Sequence, residues 1–379
     1  MKLFHLSDLH LGKRLNEFSL IEDQAYILNE ITDIIRKEKP DAVLVAGDVY
    51  DRAVPSEEAM RLWDDFLIGM AKLKEPVFAI SGNHDSAVRF SDHGALMGTT
   101  GIHLSRVYDG TAESFLLSDR KVSVRIHMLP FLKPAVIKGL FPEEEINDYT
   151  DACRFAISRM EPDPQEVNLL IAHQFVTGAT TCDSEEIAVG GLDHVDASVF
   201  EEFDYVALGH IHGKQKIGKE TIRYCGTPLK YSFSEKDHQK SITVLRIEGK
   251  GEIGIDEIPL TPLRDLREIR GTYATLTAKE NYENTHTEDY IHAVLTDEND
   301  VVDAAAKLRV IYPNLMKLSY DNQRTREQRE VTEIEGVESK TPIELLEEFY
   351  EKQNNGAMSE EQRTFAASSM SIRCSLKNF

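Results

Sequence analysis

Asp8 and His10, Asp48 and Asp51, Asn83, His84 and Asp85, His173, and His210 and His212 share one feature: each group stands just past a short apolar run. Carboxylate, imidazole and one amide oxygen, without thiolate, make a donor set that suits Mn²⁺, Fe²⁺ or Zn²⁺ in five- or six-coordinate geometry. One histidine in such a place is more often structural than catalytic, but five of the chain's 13 histidines fall at these strand ends. The donors are too many for one ion. Two ions about 3.5–4 Å apart, sharing a carboxylate, clamp a phosphate, activate water near neutral pH and stabilise the entering and leaving oxygens. The chemistry implied is phosphoester hydrolysis.

The elements that must position these groups follow from periodicity. Residues 1–6 read as a strand running into Ser7-Asp8-Leu9-His10, and Val43–Ala46 as a buried strand ended by Gly47-Asp48. Between them Ile21, Ala25, Leu28, Ile31 and Ile35 recur at helical spacing, and Pro40 closes the helix. Ser56 is a good N-cap for a helix over 57–73, with Met60, Trp63, Leu67 and Met70 on one stripe that is most simply core. Pro76–Ile80 is a third strand, ending in Ser81-Gly82-Asn83-His84-Asp85. The first 85 residues therefore read β-α-β-α-β, the pattern of a layered α/β domain, whose sites form at the carboxyl ends of its strands. Val122–Met128, Asn168–Ala172 and Tyr205–Leu208 read as further strands, the last two leading into His173 and into Gly209-His210-Ile211-His212. With 221–225 and 241–247 they predict a second, partly antiparallel sheet packed on the first.

The texture changes around Pro259-Leu260-Thr261-Pro262. Residues 267–320 read as strand (267–277), strand (290–296), helix (300–311) and strand (315–320). Residues 321–340 have a linker's polar, aperiodic composition. Thr341-Pro342-Ile343-Glu344 then opens a capped helix with Leu345, Leu346, Phe349 and Tyr350 on one face. The expected organisation is a catalytic domain over 1–260, a small α/β domain over 264–320, a linker over 321–340 and a helical segment over 341–379.

A formal net charge of −22 argues against a dedicated DNA-binding module, because such a chain repels nucleic acid at long range. It leaves room for an enzyme that grips phosphates through metal ions and a local basic surface. Arg14, Arg52 and Arg89, beside the motif loops, are candidates for that surface. No apolar run approaches the roughly 20 residues of a membrane helix, and the N-terminus carries no signal core. Cys153, Cys182, Cys225 and Cys374 lie far apart without CxxC spacing, against a disulfide framework and against a thiolate zinc site. The expectation is a cytoplasmic protein.

In chain order, Asp-x-His, Gly-Asp-x-x-Asp, Gly-Asn-His-Asp, a lone His and Gly-His-x-His resemble the motif set of the calcineurin-like metallophosphoesterases over residues 8–212. The resemblance implies a sandwich of two β-sheets flanked by helices. It also implies Asp8, His10, Asp48 and His212 on one metal, and Asp48 as bridge with Asn83, His173 and His210 on the other. His84 matches the histidine that stabilises the phosphorane and protonates the leaving oxygen, and Asp85 its orienting partner. His-Leu-Ser-Asp-Leu-His-Leu-Gly at 5–12, Ala-Gly-Asp-Val-Tyr-Asp-Arg at 46–52, Ile-Ser-Gly-Asn-His-Asp-Ser at 80–86 and Tyr-Cys-Gly-Thr-Pro-Leu-Lys-Tyr-Ser-Phe at 224–233 are similar to the SbcD family, nucleases of DNA double-strand-break repair. That resemblance implies manganese-dependent 3′–5′ double-strand exonuclease and single-strand or hairpin endonuclease activity in repair, recombination and replication. It implies a cap that touches DNA, a homodimer within a heterotetramer, and docking of the C-terminal helix on the SMC-like ATPase SbcC. Asp51 departs from the archaeal and eukaryotic relatives, which carry histidine there, so their way of placing the DNA end does not carry over. Two rival readings are a phosphodiesterase for small or lipid-linked substrates, which needs neither extra domain nor capped helix, and a non-catalytic docking subunit, which leaves the ligand set unexplained.

Overall fold

In the computed structural model, whose described residues are 1–92, 94–185, 193–323, 325–326 and 362, strand Lys2–Leu6 pairs in parallel with Ala42–Ala46. That strand pairs with Val77–Ile80, which pairs with Ile102–Leu104. On the other side Ser241–Gly249 joins Lys2–Leu6 antiparallel and Glu252–Pro259 forms the edge, completing six strands. The second sheet, also of six strands, runs Gln215–Ile217, Lys219–Tyr224, Tyr205–Gly209, Val167–His173, Ser123–Leu129, Glu113–Ser118. It is parallel in its centre and antiparallel at both edges. The segment 241–247, expected in this second sheet, belongs to the first. Its alternation fills both faces there, with Ile242 and Val244 on one side and Leu245 and Ile247 on the other.

Strand side chains alternate between faces, and that period sorts the core into layers. Leu3, Leu44, Phe78 and Ile80 meet Val124, Ile126, Leu169, Ile171 and Ala207 between the two sheets. Phe4, Leu6, Val43 and Val45 point outward against the helices Ile21–Glu38 and Glu57–Leu73, meeting Ile27, Ile31, Ile35, Trp63, Phe66 and Met70. Leu170, Ala172, Val206 and Leu208 do the same on the far side, against the helices Pro134–Leu140 and Tyr149–Ser158. Sequence reading did not anticipate those two helices, although Pro134 stands in the first turn of one and the Asp148 side chain caps the other. Ser56 does cap Glu57–Leu73, accepting from Ala59 N, while Met60 turns out of the buried face at 38% exposure.

One compact unit comprises Met1–Val294 with Val301–Ser319, and a second comprises Leu295–Asp300 with the described residues from Tyr320 onward. Beyond the sandwich, Leu266–Gly271, Tyr290–Leu295 and Leu315–Tyr320 form a three-stranded sheet. The strand expected over 267–277 stops at Gly271, because Thr272 caps a short helix, Tyr273–Thr277, by accepting from Thr275 N. The helix expected over 300–311 is Ala304–Arg309. Arg264 ties this region to the sandwich through Asp23 at 3.0 Å and Glu22 at 2.7 Å, Tyr290 donates to Asp23, and Lys236 pairs with Glu268 at 2.7 Å. Within the second unit, Asp321 N donates to Leu295 O and Asn322 Nδ2 to Asp297 O. The expected capped helix and most of the expected linker lie outside the described residues. Among the described residues no helix is long and apolar enough to cross a membrane.

Candidate metal centre

The site forms where five strand ends and their loops turn toward one point. Asp8, His10, Asp48 and His210 all have positive φ, at 53°, 44°, 50° and 104°, a backbone region that non-glycine residues rarely occupy and that clusters at functional sites. The first two loops are zipped by main-chain bonds: Asp8 N to Gly47 O, His10 N to Asp48 O and Leu11 N to Val49 O, each near 3.0 Å. Two glycines make the approach possible. A Cβ at Gly82 would lie 2.1 Å from Asp48 Oδ1, and one at Gly209 would lie 1.8 Å from the Ala46 carbonyl oxygen.

Asp48 is the centre of the arrangement. Its Oδ2 lies 3.3 Å from His173 Nε2, 3.7 Å from His10 Nε2 and 3.9 Å from His84 Nε2, and its Oδ1 accepts from His84 N at 2.9 Å. On one side, Asn83 Oδ1 stands 2.9 Å from His173 Nε2 and 3.0 Å from His210 Nδ1. His173 is anchored from behind, Nδ1 donating to Ala46 O at 2.8 Å. On the other side, His10 Nε2 faces His212 Nε2 at 3.1 Å, and Asp8, His10 and His212 offer mutually close ligand atoms. Asp8 also accepts from His210 N at 3.0 Å. Asp8, His10, Asp48, His173, His210 and His212 are all buried.

The shifts reflect burial and the two carboxylates together: against the effect of its burial, Asp48 and Asp8 raise His173 to about 9. Burial pushes the Asp8 carboxyl up to about 6, against the pull of His173 and His212. Burial also works to raise Asp48, but His173, His10 and His84 outweigh it and hold that carboxyl well below the usual range. Burial and the neighbouring His173 bring His210 down to about 3, and burial keeps His10 far below the ordinary imidazole value. Neutral imidazoles with a free lone pair are the form that binds a metal. His10 Nε2 and His212 Nε2 face each other at 3.1 Å, where at most one can donate, and Asn83 Oδ1 and Asp48 Oδ2 add acceptor oxygens beside the rings. A divalent cation fits this donor set.

The predicted site residues are therefore brought together, with two differences in detail. The His84 ring is oriented by the Asp51 main-chain carbonyl, to which Nδ1 donates at 3.0 Å. Asp85, expected to orient that ring, instead accepts from the main chain of Val49, Tyr50 and Gly82 at 2.9–3.2 Å and so fixes the loops that carry Asp48 and Asn83. Lys13, not singled out from the sequence, lies at the mouth 2.9 Å from Asp51 Oδ1. Arg52 reaches the same carboxylate at 3.7 Å from a surface position, Arg14 turns to the Glu17 carbonyl, and Arg89 is exposed at the end of a short helix. Gln24, Tyr231, Ser184 and Glu235 support the site without any spacing signal that marks them. Gln24 Nε2 donates to His10 O at 2.7 Å while its Oε1 accepts from Gly12 N, and Tyr231 donates to Leu9 O.

With this geometry in hand, comparison with known proteins is direct. The family model described as calcineurin-like phosphoesterase matches residues 1–214, and one described as type 5 capsule protein repressor C-terminal domain matches residues 262–354. The SbcD subunit of nuclease SbcCD from Staphylococcus epidermidis is 33% identical over 366 residues, covering 96% of each chain. The chain belongs to the SbcD family. Members of its superfamily are divalent-metal hydrolases of phosphoesters, and the SbcD match extends that relation through the C-terminal region. Among solved structures, a dimetal phosphatase from Danio rerio is 13% identical with a TM-score of 0.39, covering 69% of this chain and 99% of that one.

Proposed function

We propose that this SbcD-family protein is the nuclease subunit of an SbcCD-like complex and hydrolyses DNA phosphodiester bonds at a dimanganese centre, as a 3′–5′ double-strand exonuclease and a single-strand or hairpin endonuclease. The observation that carries the reading is the position of Asp48 Oδ2 between the His10 and His173 nitrogens, where one carboxylate serves two sites. Asp8, His10, Asp48 and His212 would hold one ion, and Asp48, Asn83, His173 and His210 the other. When bound, such ions supply Lewis-acid chemistry, activating a water and neutralising charge on the phosphate.

The chain's own groups do the rest. His84 Nε2 faces the site at 16% side-chain exposure, and its Nδ1–H is committed to the Asp51 carbonyl. It hydrogen-bonds a phosphate oxygen and passes its Nε2 proton to the leaving oxygen. Asp85 keeps that geometry by clamping three main-chain amides. The identity with a relative named as part of SbcCD supports an SMC-like ATPase, SbcC, as partner, docked through residues 342–353, and a homodimer within a heterotetramer. The test is a Mn²⁺-dependent assay on duplex ends and hairpins beside a chromogenic phosphodiester. Cleavage of DNA ends supports the reading, and hydrolysis of the small ester alone returns it to a small-substrate phosphodiesterase.

A further inference from the structure

A buried ion pair lies directly behind His212. Glu235 is fully buried and Lys240 nearly so. Lys240 Nζ stands 2.5 Å from Glu235 Oε2, and also donates to Thr227 Oγ1 at 2.7 Å and to the His212 main-chain carbonyl at 2.9 Å. The other glutamate oxygen, Oε1, accepts from Tyr231 N at 3.1 Å and from Ser184 Oγ at 2.7 Å. Ser184 Oγ in turn lies 2.7 Å from His212 Nδ1.

Donor counting orders this chain. A hydroxyl has one proton to donate. An ionised glutamate only accepts, so Ser184 gives its proton to Glu235 and accepts from His212 Nδ1–H. The ring proton is thereby fixed on Nδ1, and Nε2 keeps the lone pair that faces His10 Nε2. Stability alone does not explain the pair, since a buried ion pair is often replaceable by apolar side chains at no loss. Glu185 braces the same residue from its main chain, accepting from His212 N at 2.7 Å.

We propose that Glu235 is a positioning residue for His212: through Ser184 it fixes the imidazole's tautomer and orientation toward the metal centre, with Lys240 as its counter-ion. The proposal rests on the reading of His212 as a metal ligand. Partners that orient a ligating histidine in this way typically contribute about 10- to 100-fold in metal affinity.

The test is Mn²⁺ titration of the full chain, counting free Mn²⁺ by electron paramagnetic resonance, for His212→Ala, Ser184→Ala, Ser184→Thr and Glu235→Gln. His212→Ala should lose one of two ions. Ser184→Ala and Glu235→Gln should weaken one ion by about 10- to 100-fold and leave the other unchanged, while Ser184→Thr retains wild-type affinity. Ser184→Ala leaves Glu235 paired with Lys240 and Tyr231 N, so its melting temperature without added Mn²⁺ should fall only by what one lost hydrogen bond costs. Wild-type affinity in both variants, weakening in Ser184→Ala alone, or equal weakening of both ions would overturn the proposal. If His212→Ala itself binds two ions normally, the metal assignment has failed and the proposal falls with it.

Discussion

The two halves of the metal centre are built in different ways. The half around Asn83, His173 and His210 is braced from the strand ends and the site's own residues: His173 donates to Ala46 O, and the Asp8 carboxylate accepts from His210 N. These groups stand at the ends of the strands Ala42–Ala46, Val77–Ile80, Val167–His173 and Tyr205–Gly209. The half around His10 and His212 is braced by side chains from elsewhere, Gln24 and Tyr231 behind His10, Ser184 and Glu235 behind His212. Strand ends and two carboxylates of the site itself, Asp8 and Asp85, place the first half. The second depends on buried polar partners, each of which can be removed singly.

On the proposed assignment Asp48 would serve both ions, so Asp48→Ala should have the largest effect. Without the shared carboxylate, two dications would face each other uncompensated. Metal analysis of the purified variant should find neither ion, with phosphodiesterase activity lost. A preparation retaining two Mn²⁺ per chain would show that the halves do not meet at this residue.

His84 is proposed to hold neither ion, although its ring lies close to His10 and Asp48. His84→Ala should leave both ions and the fold in place while lowering the rate by about 10²–10⁴, the usual contribution of a positioned proton donor. Loss of metal in this variant would make His84 a ligand and redraw the comparison.

The difference between the halves also explains what was legible in the sequence. Strand-end donors announce themselves, because an apolar run followed by Asp, His or Asn places a side chain at the rim of a sheet wherever that strand goes. Asp8, Asp48, Asn83, His173 and His210 were readable for that reason, as were the strands before them and the two helices over the first sheet. The braces were not. Ser184 comes from a turn and Glu235 from the short 3₁₀ helix Phe233–Glu235, elements whose meeting point is set by the tertiary fold, and Gln24 sits inside a helix whose periodicity assigns it no special task. Two errors have the same origin: 241–247 pairs across the chain with Lys2–Leu6, and Thr272 ends a strand that alternation alone would extend.

A smaller effect concerns how the halves stay in register. His5, on the strand that feeds His10, reaches across the sandwich to Tyr205 OH at 3.0 Å and Leu208 O at 3.2 Å, on the strand that feeds His210 and His212. Burial holds its imidazole down at about 3, against the hydrogen bond to Leu208 and with Arg223 adding to the depression. The folded value lies below the ordinary 6.5, so this contribution is present above pH 6.5 and is lost as pH falls toward 3. Between pH 7 and 4 the loss amounts to about 3 kcal/mol. Denaturant titrations at the two pH values should show a smaller acid loss for His5→Gln than for the wild type. Equal losses would mean that His5 titrates alike in both states.

The finest test separates the halves within one substitution. Gln24 is buried, and its amide fills two demands at once, donating to His10 O and accepting from Gly12 N. Gln24→Met keeps volume and helix propensity but satisfies neither group. Leaving a buried donor or acceptor unpaired costs about 1–3 kcal/mol, and the loop between Leu9 and Gly12 should relax to recover part of that. His10 then drifts from His212, while Asn83, His173 and His210, which make no contact with Gln24 among the described hydrogen bonds, stay in place. A Mn²⁺ titration of Gln24→Met should therefore show one ion weakened, by about tenfold if 1.4 kcal/mol of the cost falls on the bound state, and the other bound as in the wild type. Equal weakening of both ions would mean that the two halves move as one body and that the division between support from within the site and support from outside it has no energetic content.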